Sequence, residues 1–150
     1  MTSAPMPPLA PLETRADEVV AGAFGRTLVM WGPRQRRVLP AAVTSAEHFE
    51  TLGSLDGVYD SVVSVGQLGT AGNLPALLGG LCAHLAPHSI VHFCEPTIAA
   101  DEPTSRPPHD VTSTLWANGF TVIECRRFRA RRHVRIHEYC WGKARRTPRR

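Results

Sequence analysis

The sequence predicts an α/β domain built on a mostly parallel sheet that closes in an antiparallel hairpin. Three observations predict it. The runs TLVMW (27–31), SVVSV (61–65) and IVHFC (90–94) are short, rich in β-branched residues and nearly free of polar alternation. That is the pattern of strands buried on both faces, as parallel strands are. Between the second and third runs, Leu74, Leu77, Leu78, Leu81, Cys82 and Leu85 form one helical stripe, so a helix bridges two buried strands. Finally, two strand-like segments, 120–128 and 133–141, are separated only by the basic link 129–132, a hairpin arrangement.

The remaining elements follow in order. Residues 1–12 are proline-rich and read as a disordered arm, because proline fixes φ and removes backbone donors. Residues 13–24 place Ala16, Val19, Val20 and Ala23 at helical spacing, with Gly25 as a stop. The run 27–31 ends at Gly32-Pro33, and the apolar stretch 38–43 contains Pro40, which restricts it to an edge strand. Ser45 is placed to cap a short helix through Leu52, with Glu47 and Glu50 in its early turns. Pro87 ends the leucine-striped helix, residues 97–108 form a loop, and residues 110–118 form a helix closed by Gly119. The domain therefore spans 13–144, followed by a basic tail, 145–150.

Composition fits one globular domain: 150 residues, 43% hydrophobic and 20% charged. No stretch approaches the roughly 20 apolar residues that span a bilayer, and the N-terminus has no basic region leading into an apolar run. A cytoplasmic location without membrane contact is expected. The four cysteines, Cys82, Cys94, Cys125 and Cys140, show no CxxC spacing, which favours reduced thiols in a core over a disulfide framework. Charge is uneven. Residues 1–125 hold 6 Arg against 12 acids, a balance of −6, whereas 126–150 hold 11 Arg and Lys against Glu138 alone, a balance of +10. Such an end attracts polyanions, but no aromatic-basic binding motif accompanies it. The pattern favours arginines solvated on a hairpin face over a nucleic-acid site, with Phe128, Val134, Ile136 and Cys140 packing that hairpin onto the sheet.

From residue 59 to residue 144 the chain resembles the back half of the class I S-adenosylmethionine-dependent methyltransferases. The resemblance rests on five features in order: YDSVVSVGQL, LLGGLCAHLAPHS, IVHFCEP, LWANGFTVIECRRF and EYCWGKARR. It implies a reduced Rossmann-like methyltransferase sheet, with ligands outside the carboxyl ends of the strands. It further implies that Val65, Gly66, Gln67 and Leu68 line the cofactor or acceptor, the alternative being that Gly66 and Gly69 are turn glycines only. Trp31, Gly32, Gly66 and Gln67 are the cofactor-side candidates, and Glu95 joins them as a cleft residue or, with twice the weight, as a loop anchor. No residue is assigned to catalysis.

The front half departs from that family, which follows its first strand with a Gly-x-Gly-x-Gly loop where backbone must approach the ligand closely. Here the run is Trp31-Gly32-Pro33-Arg34-Gln35-Arg36-Arg37. The family also holds the ribose hydroxyls with an acid at the end of its second strand, but no strand ending in Asp or Glu occurs between Gly32 and Tyr59, and the non-acidic Ser45 stands near the acid expected to meet adenine. The departure predicts weak or absent binding of S-adenosylmethionine. Metal binding is not expected. His84, His88 and His92 diverge over helix, turn and strand, and His133 and His137 would stand ~13 Å apart along a strand. Two functions of different class follow. One is an S-adenosylmethionine-dependent methyltransferase acting on a small molecule. The other is a non-catalytic methyltransferase remnant that binds a protein partner, or a second copy of itself, through an exposed sheet edge.

Overall fold

The computed structural model describes residues 10–31, 43–46, 57–98, 109–132 and 135–147. In chain order the elements are α1 (Ala10–Gly22), β1 (Thr27–Trp31), β2 (Val43–Ala46), β3 (Tyr59–Val65), α2 (Leu74–Cys82), β4 (Leu85–Pro96), α3 (Val111–Ala117), β5 (Phe120–Arg132) and β6 (Arg135–Arg146). The strands form a six-stranded sheet in the order β2-β1-β3-β4-β6-β5. β1 through β4 pair in parallel, while β6 runs antiparallel to both β4 and β5. The expected parallel neighbours 27–31, 61–65 and 90–94 are adjacent, with β3 between the other two.

Each sheet face has its own core. Val29, Val63, Val65, Cys94 and Tyr139 meet Leu12 and Ala16 of α1 on one face, and the Arg15 guanidinium lies 4.0 Å from the Trp141 ring centroid. On the other face Leu28, Val62, Val91 and Phe93 meet α2 and α3. At nine residues α2 is too short to persist alone. Its buried leucines, 74, 77, 78 and 81, hold it in place, each burial being worth about 1.5–3 kcal/mol. Asn73 caps its start by accepting from the Ala76 amide at 3.1 Å, and Pro75 occupies the first turn, where an amide would be idle. Asp110 caps α3 in the same way, accepting from Ser113 at 3.3 Å. Gly119 closes that helix at φ +85°, which a side chain would strain.

Several boundaries differ from the sequence expectations. α1 starts at Ala10 with Leu12 fully buried, so residues 10–12 belong to the domain and not to the arm. α2 stops at Cys82, five residues before Pro87. Pro87 instead sits within β4, where the pairing jumps from Tyr59↔Leu85 to Ser61↔Ile90. A residue lacking an amide is accommodated where the ladder is interrupted. Ser45 lies in β2, and the helix expected after it, like residues 38–42, lies outside the described residues.

The hairpin is longer than expected. Residues 129–132 are strand, paired with 138–135, and Arg145 and Arg146 extend β6 opposite Thr121 and Phe120. The basic tail therefore begins no earlier than Thr147. Pairing of β4 with β6 ends at Pro96↔Tyr139, so the hairpin beyond that point runs on as a two-stranded ribbon. Ile136 stands there with 63% of its surface exposed. It is not the core residue that its apolar character suggests, and Val134 lies outside the described residues. Ile136→Asp should accordingly shift stability by no more than about 0.5 kcal/mol, as exposed substitutions do. A urea midpoint displaced well beyond that would place Ile136 in an apolar contact.

Candidate functional site

β2 lies on one side of β1 and β3 on the other, so the chain reverses its direction of sheet growth at β1. In open α/β sheets ligands bind at such a reversal, outside the carboxyl ends of the strands. Those ends are aligned by register: Met30 of β1 faces Ala46 of β2, and Trp31 faces Val65 of β3. The backbone of Trp31 thus lies beside the residue that precedes Gly66. Gly32, the fourth candidate, lies outside the described residues, as does the rest of 32–42.

Gly66 turns the chain at φ +77°. Its amide donates to the Cys94 carbonyl at 2.9 Å, which ties the turn to the end of β4. Thr70 Oγ1 donates to the Gly66 carbonyl and closes the turn from within. Gln67 is half-buried, with part of its surface open above the turn. Val65 and Leu68 are fully buried, in opposite cores. Gly66 and Gln67 thus form the turn after β3, while the side chains of Val65 and Leu68 pack into the two cores, as side chains that alternate across a strand and its turn do.

Glu95 anchors this turn from below. It has no exposed surface, and its Oε2 accepts from the Gly69 amide at 3.0 Å. Its Oε1 and the Ser64 hydroxyl lie near each other, and neither makes a hydrogen bond of full geometry among the described residues. Burial pushes the Glu95 carboxyl up to about 8; the Ser64 hydroxyl and the amides of Gly69, Leu68 and Gly66 oppose that shift and recover only part of it. The group is a loop anchor that is mostly protonated at neutral pH, and it does not line the crevice. Gly69 has no space for a side chain: a Cβ there would lie 2.1 Å from the Pro96 carbonyl oxygen.

His109, which the sequence did not single out, completes the scaffold. Its amide donates to the Gly69 carbonyl at 2.9 Å and its Nε2 donates to the Ala71 carbonyl at 2.6 Å. Thr97 Oγ1 in turn donates to the His109 carbonyl at 3.0 Å. A histidine at the edge of a proline-rich polar stretch carries no periodic signal, so only the fold reveals its place. Among the described residues no group of three or more His, Cys, Asp or Glu is placed to hold a metal ion. No helix among them is long and apolar enough to cross a membrane.

A strand, β2, falls between Gly32 and Tyr59 and ends at Ala46, which is aligned with Met30 of β1. The next residue in the sequence is Glu47, which the sequence assigned to an early turn of a helix and which lies outside the described residues.

The reversal at β1, the parallel core and the antiparallel end strand define the class I methyltransferase fold, here on six strands. The chain is similar to the 1,6-didemethyltoxoflavin-N1-methyltransferase of Burkholderia thailandensis, solved with 1,6-didemethyltoxoflavin and S-adenosylhomocysteine. The identity is 14% and the TM-score 0.56, over 93% of this chain and 78% of that one. It is also similar to TehB of Haemophilus influenzae, at 12% identity and TM-score 0.47 over 71% of this chain and 41% of that one. The precorrin-6y C5,15-methyltransferase of Geobacter metallireducens gives 19% and 0.44, over 71% and 54%. The chain thus spans between 41% and 78% of these proteins. No family model and no curated protein sequence matches it.

Proposed function

We propose that the chain binds S-adenosylmethionine in the crevice at the ends of β1 and β3 and is a methyltransferase for a small-molecule acceptor. The observation that carries this reading is the alignment of β2 with β1, which brings a strand followed by Glu47 to the switch point. A carboxylate can accept from two vicinal hydroxyls, and Gly66, free of a Cβ, lets backbone approach a ligand. These residue types suit the cofactor's chemistry at these sequence positions. Glu47 would hold the ribose, and Trp31, Gly32, Gly66 and Gln67 would surround the remainder.

When bound, the cofactor supplies a methyl group on a positively charged sulfur. The chain's own contribution is position. Glu95 and His109 hold the 66–71 turn in one conformation from two sides, so that an acceptor and the methyl group meet at a fixed separation. Ordering of reactants alone can supply much of the acceleration of a bimolecular transfer.

Titration calorimetry with S-adenosylhomocysteine tests this. Saturable binding is expected, with stabilisation of about 2.7 kcal/mol at 100 times the dissociation constant. Glu47→Ala should weaken binding at least tenfold, a loss of about 1.4 kcal/mol. Pro33 and the single glycine in the run after β1 favour the second reading, a non-catalytic subunit that binds a protein partner. Absence of any heat at millimolar ligand would decide for that second reading.

A further inference from the structure

We propose that Cys125 and Cys140 form a redox-active thiol pair that closes a disulfide across the β5–β6 hairpin on reaction with a peroxide. The pair is hidden in the sequence by its fifteen-residue separation and is created by register. Cys125 faces Gly142, and Arg127 faces Cys140. Side chains two apart on a strand share a face, so the two cysteines are diagonal neighbours on one side of the hairpin. Gly142 leaves the place opposite Cys125 without a side chain. A Cβ at Gly142 would lie 2.0 Å from the Glu124 carbonyl oxygen and 2.9 Å from the Cys125 Cα, so the position directly across from Cys125 admits no side chain. The two thiols are close enough across that diagonal to influence each other's ionisation.

The two thiols differ in the way that such chemistry requires. Cys125 is exposed and Cys140 is buried. The hydrogen bond with Cys140 lowers the Cys125 thiol to about 7, with Arg127 assisting, while partial burial and Asp110 oppose. The same hydrogen bond, burial and the neighbouring Glu95 hold Cys140 well above the usual thiol range. Arg127 stays beside the pair because it is tethered, donating to the Ile98 carbonyl at 3.1 Å and facing Asp110 and Glu138 at 3.8 and 3.7 Å. An exposed thiolate next to a cation is the attacking group, and its buried neighbour is the resolving one.

The chemistry balances. The Cys125 thiolate attacks one peroxide oxygen; an S–O bond forms, the O–O bond breaks, and the departing hydroxide takes up the Cys125 proton as water. The Cys140 sulfur then attacks the sulfenic sulfur; the S–S bond forms, the S–O bond breaks, and hydroxide leaves with the Cys140 proton as a second water. Two thiols lose two electrons and one hydrogen peroxide becomes two waters. Since Cys140 pairs with Glu95 across β4 and β6, the reaction takes place one strand from the anchor of the 66–71 turn. It does not depend on any cofactor being bound.

The test uses the full reduced chain, treated with stoichiometric hydrogen peroxide and analysed by intact mass and non-reducing peptide mapping. The mass should fall by about 2 Da, free thiols should fall from four to two, and the linked peptides should contain Cys125 and Cys140. Cys82→Ser should leave the response intact, and Cys125→Ser should abolish it. Cys140→Ser should strand the oxidation at a Cys125 sulfenic acid trapped by a cyclic dione. Oxygen additions without loss of mass, a link between any other pair, or a link between two chains would each overturn the proposal.

Discussion

Gly69→Ala should unfold the chain at a temperature roughly 5–15 °C below the wild type and weaken any ligand binding in the crevice at least tenfold. A Cβ at this position would lie 2.1 Å from the Pro96 oxygen and 3.2 Å from its carbonyl carbon. Both are backbone atoms, so the clash cannot be relieved by rotating a side chain. Overpacking of this kind costs about 1–3 kcal/mol. Displacing the turn also breaks the Gly69 bond to Glu95, which leaves a fully buried carboxyl unpaired at a further cost of about 1–3 kcal/mol. Each kcal/mol is worth about 2–4 °C in a chain of this size. Gly72→Ala is the control, because nothing lies within 4 Å of a Cβ there. Equal melting temperatures for the two variants would contradict the close approach of the turn to β4.

The parts of the fold that were legible in the sequence are those in which one local pattern agrees with the burial it receives. The runs 27–31, 61–65 and 90–94 are apolar throughout, and they became the central strands β1, β3 and β4 because both faces of the sheet are covered. Gly119 and Asp110 marked the ends of α3 because their preferences act within a few residues. β2 was not legible. Val43–Ala46 contains Thr and Ser between its termini, and its strand conformation comes from pairing with β1, a non-local cause. Residues 129–132 misled in the opposite direction. A run of arginines resembles a solvated link, yet an antiparallel ladder needs only backbone groups, and the arginines stand on the edge strand where charge is tolerated.

The candidate site divides in the same way. Gly66 and Gln67 could be named because they follow a legible strand. The anchors could not, since Glu95 and His109 reach the turn across 26 and 38–40 residues of sequence. Glu95-Pro96 at a strand end resembled a cleft carboxylate, but its hydrogen bond to Gly69 runs beneath the turn. Glu47 was read as an early helical acid and lies outside the described residues; with β2 ending at Ala46, it is also the next residue in sequence after that strand. The cysteine pair illustrates the limit most simply, because neither thiol has any local signal and the contact arises only when β5 and β6 align.

Replacing Glu95 by glutamine should change how stability depends on pH more than it changes stability at any one pH. The carboxyl is raised to about 8 in the folded chain from an ordinary value of 4.5. Below pH 4.5 it is protonated in both states, and its contribution is fully present. As pH rises, the unfolded chain ionises while the folded chain retains the proton, so folding stability falls by about 1.4 kcal/mol per pH unit. The decline ends near pH 8, where the folded carboxyl also ionises, and over the whole window it amounts to a loss on the order of 5 kcal/mol. The glutamine amide would keep a carbonyl oxygen for the Gly69 amide and would not titrate. All other ionisable groups are common to both proteins and cancel in the comparison. Urea midpoints measured between about pH 5 and pH 8 should therefore fall steeply for the wild type relative to Glu95→Gln, with the variant the more stable of the two at the upper end. Parallel curves across that range would mean that the Glu95 carboxyl is ionised in the folded chain and reaches solvent or a cation, which would return it to the crevice as a group open to a ligand.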